Sequence, residues 1–175
     1  PELMKQIGSA VALEVLSTGV VWTFAPALSV PRNDRWGRTY EGFAEEPELV
    51  GQLGSAFVKG LQGEGDEFLD ENHILATSKH FAGDGGTFDG IDQGDVRLSK
   101  EEFYSLHVSP YTPAIDACTQ TIMSSFNSFQ GKKLHGDKSL LTDLLKNEMG
   151  FDGFIVGDWN GHGQVQGCSN ESCPE

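Results

Sequence analysis

Asp158 closes the run Gly153-Phe154-Ile155-Val156-Gly157-Asp158-Trp159, in which an apolar stretch ends on a carboxylate and then an aromatic ring. That pairing suits a sugar. A carboxylate can attack an anomeric carbon to give a covalent glycosyl intermediate, and an indole face can pack on the C–H face of a pyranose. The same aspartate could equally cap the turn Asn160-Gly161-His162-Gly163 by accepting backbone hydrogen bonds. Lys79 and His80 stand side by side, a dense set of donors for adjacent hydroxyls or for a carboxylate. Taken alone, a lysine paired with one of the many acids and a histidine bonded to a loop would account for them as well. Arg38, within Arg35-Trp36-Gly37-Arg38-Thr39-Tyr40-Glu41, carries a planar fork that can grip a hydroxyl or orient a carboxylate, whereas Trp36 reads as core.

Other chemistries find little support. Residues 83–92 are rich in glycine and aspartate, but they lack the alternating oxygen ligands and closing glutamate of an EF-hand loop. They read as a tightly turned rim loop, with Asp89 and Asp92 free to bond a ligand or their own backbone. Five histidines form neither an HExxH motif nor a Cys/His cluster, and there is no GxSxG elbow and no phosphate-binding glycine loop. No metal and no organic cofactor is expected.

The elements around these residues alternate. Leu3, Ile7, Val11 and Val15 recur every fourth residue, which predicts an amphipathic helix ending before Gly19. An apolar strand is expected over residues 20–25, and a polar loop with Arg32, Arg35 and Arg38 follows Pro26. A second helix should begin at Pro47, with Leu49, Leu53, Phe57 and Leu61 on one face. Residues 73–78 read as the next strand, and Ser99 with Glu102 as a capping box opening a helix that Pro110 and Pro113 must break or bend. A strand over 121–126, a helix bearing Leu140, Leu141, Leu144 and Leu145 up to Gly150, and a strand over 154–157 complete the chain. Continuous apolar strands alternating with helices predict a parallel sheet covered by helices. The reactive residues all fall at expected strand C-termini, which favours a (β/α)8 TIM-like barrel over an open sheet. About four βα units are present, so residues 1–175 are expected to be part of a single catalytic domain, with further strands and a C-terminal domain missing from this chain.

The 175 residues carry 12 Lys and Arg against 26 Asp and Glu, a formal charge of −14 that disfavours nucleic acid and anionic membrane surfaces as partners. No apolar run approaches the ~20 residues of a membrane span. Cys168 and Cys173, in a polar tail, suit a small disulfide loop, and Asn170-Glu171-Ser172 is a glycosylation triplet. Both lean towards an oxidising compartment, periplasmic or secreted.

The runs Lys79-His80-Phe81-Ala82-Gly83-Asp84-Gly85-Gly86-Thr87 and Gly153 to Trp159, with Phe24-Ala25-Pro26 and Arg35 to Glu41, resemble glycoside hydrolase family 3 across essentially the whole chain. The resemblance implies a (β/α)8 domain that removes terminal, non-reducing β-linked glucose from glucosides or β-glucan oligosaccharides, with retention of configuration. It implies Asp158 as nucleophile, Arg38, Lys79 and His80 on the sugar hydroxyls, Trp159 as an aromatic wall, and Met123 and Phe126 lining the pocket. The aspartate that pins the terminal sugar in this family lies upstream of Pro1, and the glutamate acid/base usually comes from a domain after the barrel. Gln164 stands where many relatives have an arginine near the outer subsite. A β-N-acetylhexosaminidase branch of the family is one alternative reading, but it keeps a histidine where this chain has Asp84 and an Asp-Ser-His where this loop reads Asp89-Gly90-Ile91, a departure that favours the glucosidase and exo-glucanase branch. A catalytically silent carbohydrate-binding fragment is the other.

Overall fold

The computed structural model describes residues 1–165 of the chain. Helix α1 (Glu2–Ser17) and helix α2 (Pro47–Gln62) lie against each other, the second opened by a proline at its first turn and closed at Gly63 in a positive-φ conformation. Half of the expected stripe of α1 is partly buried, since Val11 and Val15 pack with Ala12 against Val58, Leu61 and Ile74, and the other half is not. Leu3 and Ile7 remain 69% and 41% exposed, and the residues α1 buries are Gly8 and Ala12. Close approach decides this, since a Cβ on Gly60 of α2 would overlap the Lys5 carbonyl oxygen. The two backbones touch where there are no side chains to hold them apart.

Two sheets form. The larger joins β1 (Thr77–Phe81), β3 (Thr121–Ser124) and β6 (Phe154–Val156) in parallel in that order, and the smaller joins β2 (Asp95–Val96), β4 (Ser128–Phe129) and β5 (Lys132–Lys133). The small sheet went unanticipated because its two-residue strands are too short to show any periodicity.

The strand expected over 20–25 is only partly realised. Residues 21–26 run parallel to the segment leading into β1, accepting from Leu75, Thr77 and Lys79 N–H at 2.9–3.0 Å, but only Trp22–Leu75 and Ala27–Lys79 register as bridges. Pro26 has no N–H to give back, so the ladder cannot be completed there. The expected strand over 73–78 is displaced towards Phe81. Asp70 accepts from Asn72 N–H at 2.8 Å and meets His73 Nδ1 at 2.7 Å, which keeps His73 in a turn. Lys79 and His80 therefore sit inside β1 rather than after it, and the Lys79–His80 and Phe81–Ala82 peptides are cis.

The capping box at Ser99 and Glu102 is formed. The helix it opens is broken into α3 (Lys100–Phe103), a π-helical stretch over Tyr104–Val108 and α4 (Tyr111–Asp116), with Pro110 at the second break. Helix Ser139–Glu148 is also π-wound, yet Leu140, Leu144 and Leu145 still reach the core.

Helices cover one side of the larger sheet. Ile122 packs there with Phe81, Phe103, Tyr111, Leu145 and Phe151. On the other side Thr77 and Thr121 join hydroxyls at 2.6 Å, the Trp22 indole N–H donates to Thr77 at 2.8 Å, and the Trp22 ring packs edge-on against Phe154. Parallel strands in chain order with helices outside are the arrangement of a (β/α)8 barrel, of which this chain forms one arc.

Candidate active site

Four loops and strand ends converge at the C-terminal side of the sheet. Arg38, His80, Asp84, Asp92, Gln93, Ser125, Phe126, Asn127 and Asp158 line one cleft there. Such convergence is what places chemistry at this face of a barrel, because each strand end is aimed inwards by the sheet and its loop alone is free to vary.

His80 is the hub. Arg38 carries only donors, so its contact of 2.9 Å to His80 Nε2 makes that nitrogen the acceptor, and the Nδ1 proton then faces the Asp84 carboxylate at 2.8 Å. Asp84 also accepts from Ser29 Oγ at 2.5 Å and from Gly85 N–H at 3.0 Å. Burial alone would raise the Asp84 carboxyl, but the bonds from His80, Ser29 and Gly85 outweigh it and hold the group below the usual range. Gly83 makes the turn that delivers Asp84. Its φ is +91°, and a Cβ there would fall 2.6 Å from the Phe103 ring.

Arg38 is fixed by Glu41, three residues on. Nε donates to one carboxylate oxygen at 2.8 Å and a terminal nitrogen to the other at 3.0 Å, a bidentate pair that lowers the Glu41 carboxyl. The remaining terminal nitrogen keeps both of its N–H groups uncommitted among the described residues, as does the Lys79 ammonium. Burial pushes the Lys79 amine down, with Glu41 and Asp158 pulling it back up. These uncommitted donors on rigid supports are what a polyol needs.

Asp158 follows β6. Its Oδ1 accepts from Trp159 N–H at 2.7 Å, and its Oδ2 stands 3.9 Å from His80 Nε2. The cap expected as the alternative for Asp158 is thus present in part, yet the second oxygen still faces the cleft. Phe126 lines the cleft, whereas Met123 is buried in β3 and is not among the lining residues. Trp159 projects outwards and is 89% exposed. Trp36 is core, as read from the sequence, and its indole N–H donates to Asp92 at 3.1 Å. Cys168, Cys173 and the glycosylation triplet lie outside the described residues; Cys118 is exposed and makes no disulfide among the described residues.

Sequence reasoning missed Glu41, Ser29, the buried role of Asp84, and His135. An i,i+3 Arg–Glu pair and an i,i+4 His–Asp pair were visible as spacings, but in a chain with 26 acids such spacings are common. Among the described residues no cluster could hold a metal ion, and no helix is long and apolar enough to cross a membrane.

Behind Asp84 lies a second histidine. His107 is 2% exposed, and neither ring nitrogen has a partner among the described residues. It presses on Gly86, where a Cβ would overlap the imidazole. Burial lowers the imidazole from 6.5 to about 4, with the Asp84 charge opposing. Because the unfolded chain takes the proton first, the stability this group contributes is complete above about 6.5. It drains away as the pH falls towards about 4, by up to about 3 kcal/mol. Denaturant unfolding of the complete protein between pH 4 and 7 should show His107→Gln losing less stability over that range than the wild type. Equal slopes would contradict this assignment.

The family described as Glycosyl hydrolase family 3 N terminal domain matches residues 1–175. A β-xylosidase of Formosa agariphila is 39% identical over 95% of this chain and 23% of its own length, and a periplasmic β-glucosidase of Salmonella typhimurium is 32% identical over 94% and 21%. The crystal structure of an exo-1,3/1,4-β-glucanase from a Pseudoalteromonas species superposes with a TM-score of 0.96 at 50% identity, covering 98% of this chain and 22% of that one. A β-glucosidase from Listeria innocua superposes at 0.88 with 33% identity, covering 94% and 23%. The chain thus spans less than a quarter of the length of these relatives.

Proposed function

Given that the chain belongs to glycosyl hydrolase family 3, we propose that it is the nucleophile-bearing arc of a retaining β-glucosidase or exo-β-glucanase that releases terminal β-linked glucose. One observation carries the reading. The free oxygen of Asp158 and the uncommitted donors of Arg38 meet in one cleft around the Arg38–His80–Asp84 relay, and Lys79, next to His80 in β1 but not among the lining residues, adds an ammonium that feels the charge of Asp158. The names of the relatives, β-glucosidase, β-xylosidase and exo-β-glucanase, support the substrate class.

In this mechanism Arg38 and Lys79 hold the hydroxyls of the terminal sugar, and Asp158 attacks the anomeric carbon while the bond to the leaving oxygen breaks. A glutamate from outside these residues, in the C-terminal domain, protonates that oxygen and then activates the water that releases the sugar. The two carboxyl groups should stand ~5–5.5 Å apart in the complete protein. Where the N-acetylhexosaminidase branch has a histidine, this chain has Asp84, whose carboxylate is already committed to His80, Ser29 and Gly85. That commitment favours the glucosidase reading. A relative named as periplasmic supports a periplasmic or secreted site of action.

The test is covalent trapping. The complete protein is incubated with a 2-deoxy-2-fluoro-β-glucoside carrying a good leaving group, then digested, and the labelled peptide is located by mass. Label on Asp158 is the expected result. Label on another carboxylate would remove Asp158 from its role, and turnover of β-xylosides or N-acetylhexosaminides without β-glucosides would overturn the substrate.

A further inference from the structure

We infer that His135 is the positioning residue of the nucleophile. It lies in the turn Leu134–Gly136 that follows β5, a place the sequence marks with no motif. Its Nε2 accepts the backbone N–H of Asp158 at 3.0 Å, a bond across 23 residues that ties the β5 turn to the loop after β6. The ring is clasped by that loop. A Cβ on Gly161 would overlap Nε2, one on Gly157 would meet Cδ2 at 3.6 Å, and the Phe126 ring lies 5.8 Å away on another side. Only glycine at 161 admits the imidazole so close to the turn.

The consequence for Asp158 is orientation. Its carbonyl is bonded by Gly161 N–H at 2.9 Å, and its Oδ1 by Trp159 N–H at 2.7 Å, so the turn itself leaves Oδ2 for the cleft. Those bonds are internal to the loop and would survive if the loop tilted as a unit. The bond from His135 is the one that anchors the Asp158 backbone to a neighbouring element. Burial pushes the imidazole down, against the pull of Asp158 and of the Ser125 backbone, which keeps Nε2 available as an acceptor. Misplacing a reacting group by about 1 Å costs about 10²-fold in rate. His135 should therefore act on the step in which Asp158 attacks, and far less on substrate binding.

This inference rests on Asp158 being the nucleophile, and the experiment separates the two. In the complete protein, the rate of covalent labelling by a 2-deoxy-2-fluoro-β-glucoside and the affinity for glucose are measured for the wild type, His135→Phe and His135→Gln. The phenylalanine keeps the ring and removes the acceptor; the glutamine keeps an acceptor near the Nε2 position. The expected result is wild-type label on Asp158, labelling about 10²-fold slower in His135→Phe with glucose affinity changed less than about threefold, and recovery of about tenfold in His135→Gln. Label on a different wild-type residue would sink the nucleophile reading and this inference with it. Label on Asp158 with a His135→Phe rate within about threefold of wild type would overturn the positioning role alone. So would equal defects in both variants, which would mark His135 as a packing residue.

Discussion

Replacing Asp158 with glycine is expected to lower kcat/KM for an aryl β-glucoside by about 10⁴-fold or more, equivalent to about 5.5 kcal/mol of transition-state stabilisation. The large effect follows from what the side chain does. Arg38, Lys79 and the His80–Asp84 pair can hold a sugar without it, but no other cleft-lining carboxylate stands at the end of β6 with an oxygen 3.9 Å from His80 Nε2. Asp84 is saturated by three donors and Asp92 accepts from Trp36. The loss should also be rescued in a diagnostic way. Azide entering the space vacated by Asp158 would attack the anomeric carbon from the face the carboxylate occupied and expel the aglycone, giving the α-glucosyl azide. A β-azide product would instead identify Asp158 as the acid/base, and a variant within about tenfold of wild type would show that the nucleophile lies elsewhere.

The second large effect is expected at Asp84. Asp84→Ala leaves Ser29 Oγ, Gly85 N–H and His80 Nδ1 without their acceptor in a site closed to water, and frees His80 to turn away from Arg38. Breaking one side of a buried ionic network in this way costs about 3–5 kcal/mol. A fall in the unfolding midpoint of the complete protein, together with loss of turnover, is the outcome predicted. Asp84→Asn separates stability from function. Its one carbonyl oxygen can still receive Ser29 and His80, so the fold should be largely retained, but the amide then opposes Gly85 N–H and turnover should fall about 10²-fold. If Asp84→Ala unfolds like the wild type, the cluster is not the anchor described. The sign of the acid response agrees with this role. A carboxyl held below its ordinary value stabilises the fold above the unfolded range near about 3.9 and withdraws that support as the pH falls through the folded value.

Much of this was legible in the sequence because it is local. The helix from Pro47 to Gln62, the capping box at Ser99 and Glu102, and the strand leading to Asp158 each follow from residue types a few positions apart. So does the choice of Arg38, Lys79, His80 and Asp158 as candidates, since each follows a predicted strand. The misreadings are local too. Pro26 interrupts a ladder that hydrophobicity alone would have continued, and Leu3 and Ile7 of the α1 stripe stay exposed where backbone contact at Gly8 and Gly60 brings the helices together.

The remainder was decided by tertiary structure, for a reason that periodicity cannot encode. Arg38 meets His80 across 42 positions because residues 21–28 and β1 are neighbours, and Ser29 meets Asp84 across 55 for the same reason. Which aspartate is closed off from water and which histidine bonds the Asp158 backbone are properties of strand order and loop approach. By itself the sequence determined which residue types stand at the strand ends. Only the parallel stacking of those strands brought them within hydrogen-bonding distance, and so joined Ser29 to Asp84 and His135 to the Asp158 backbone.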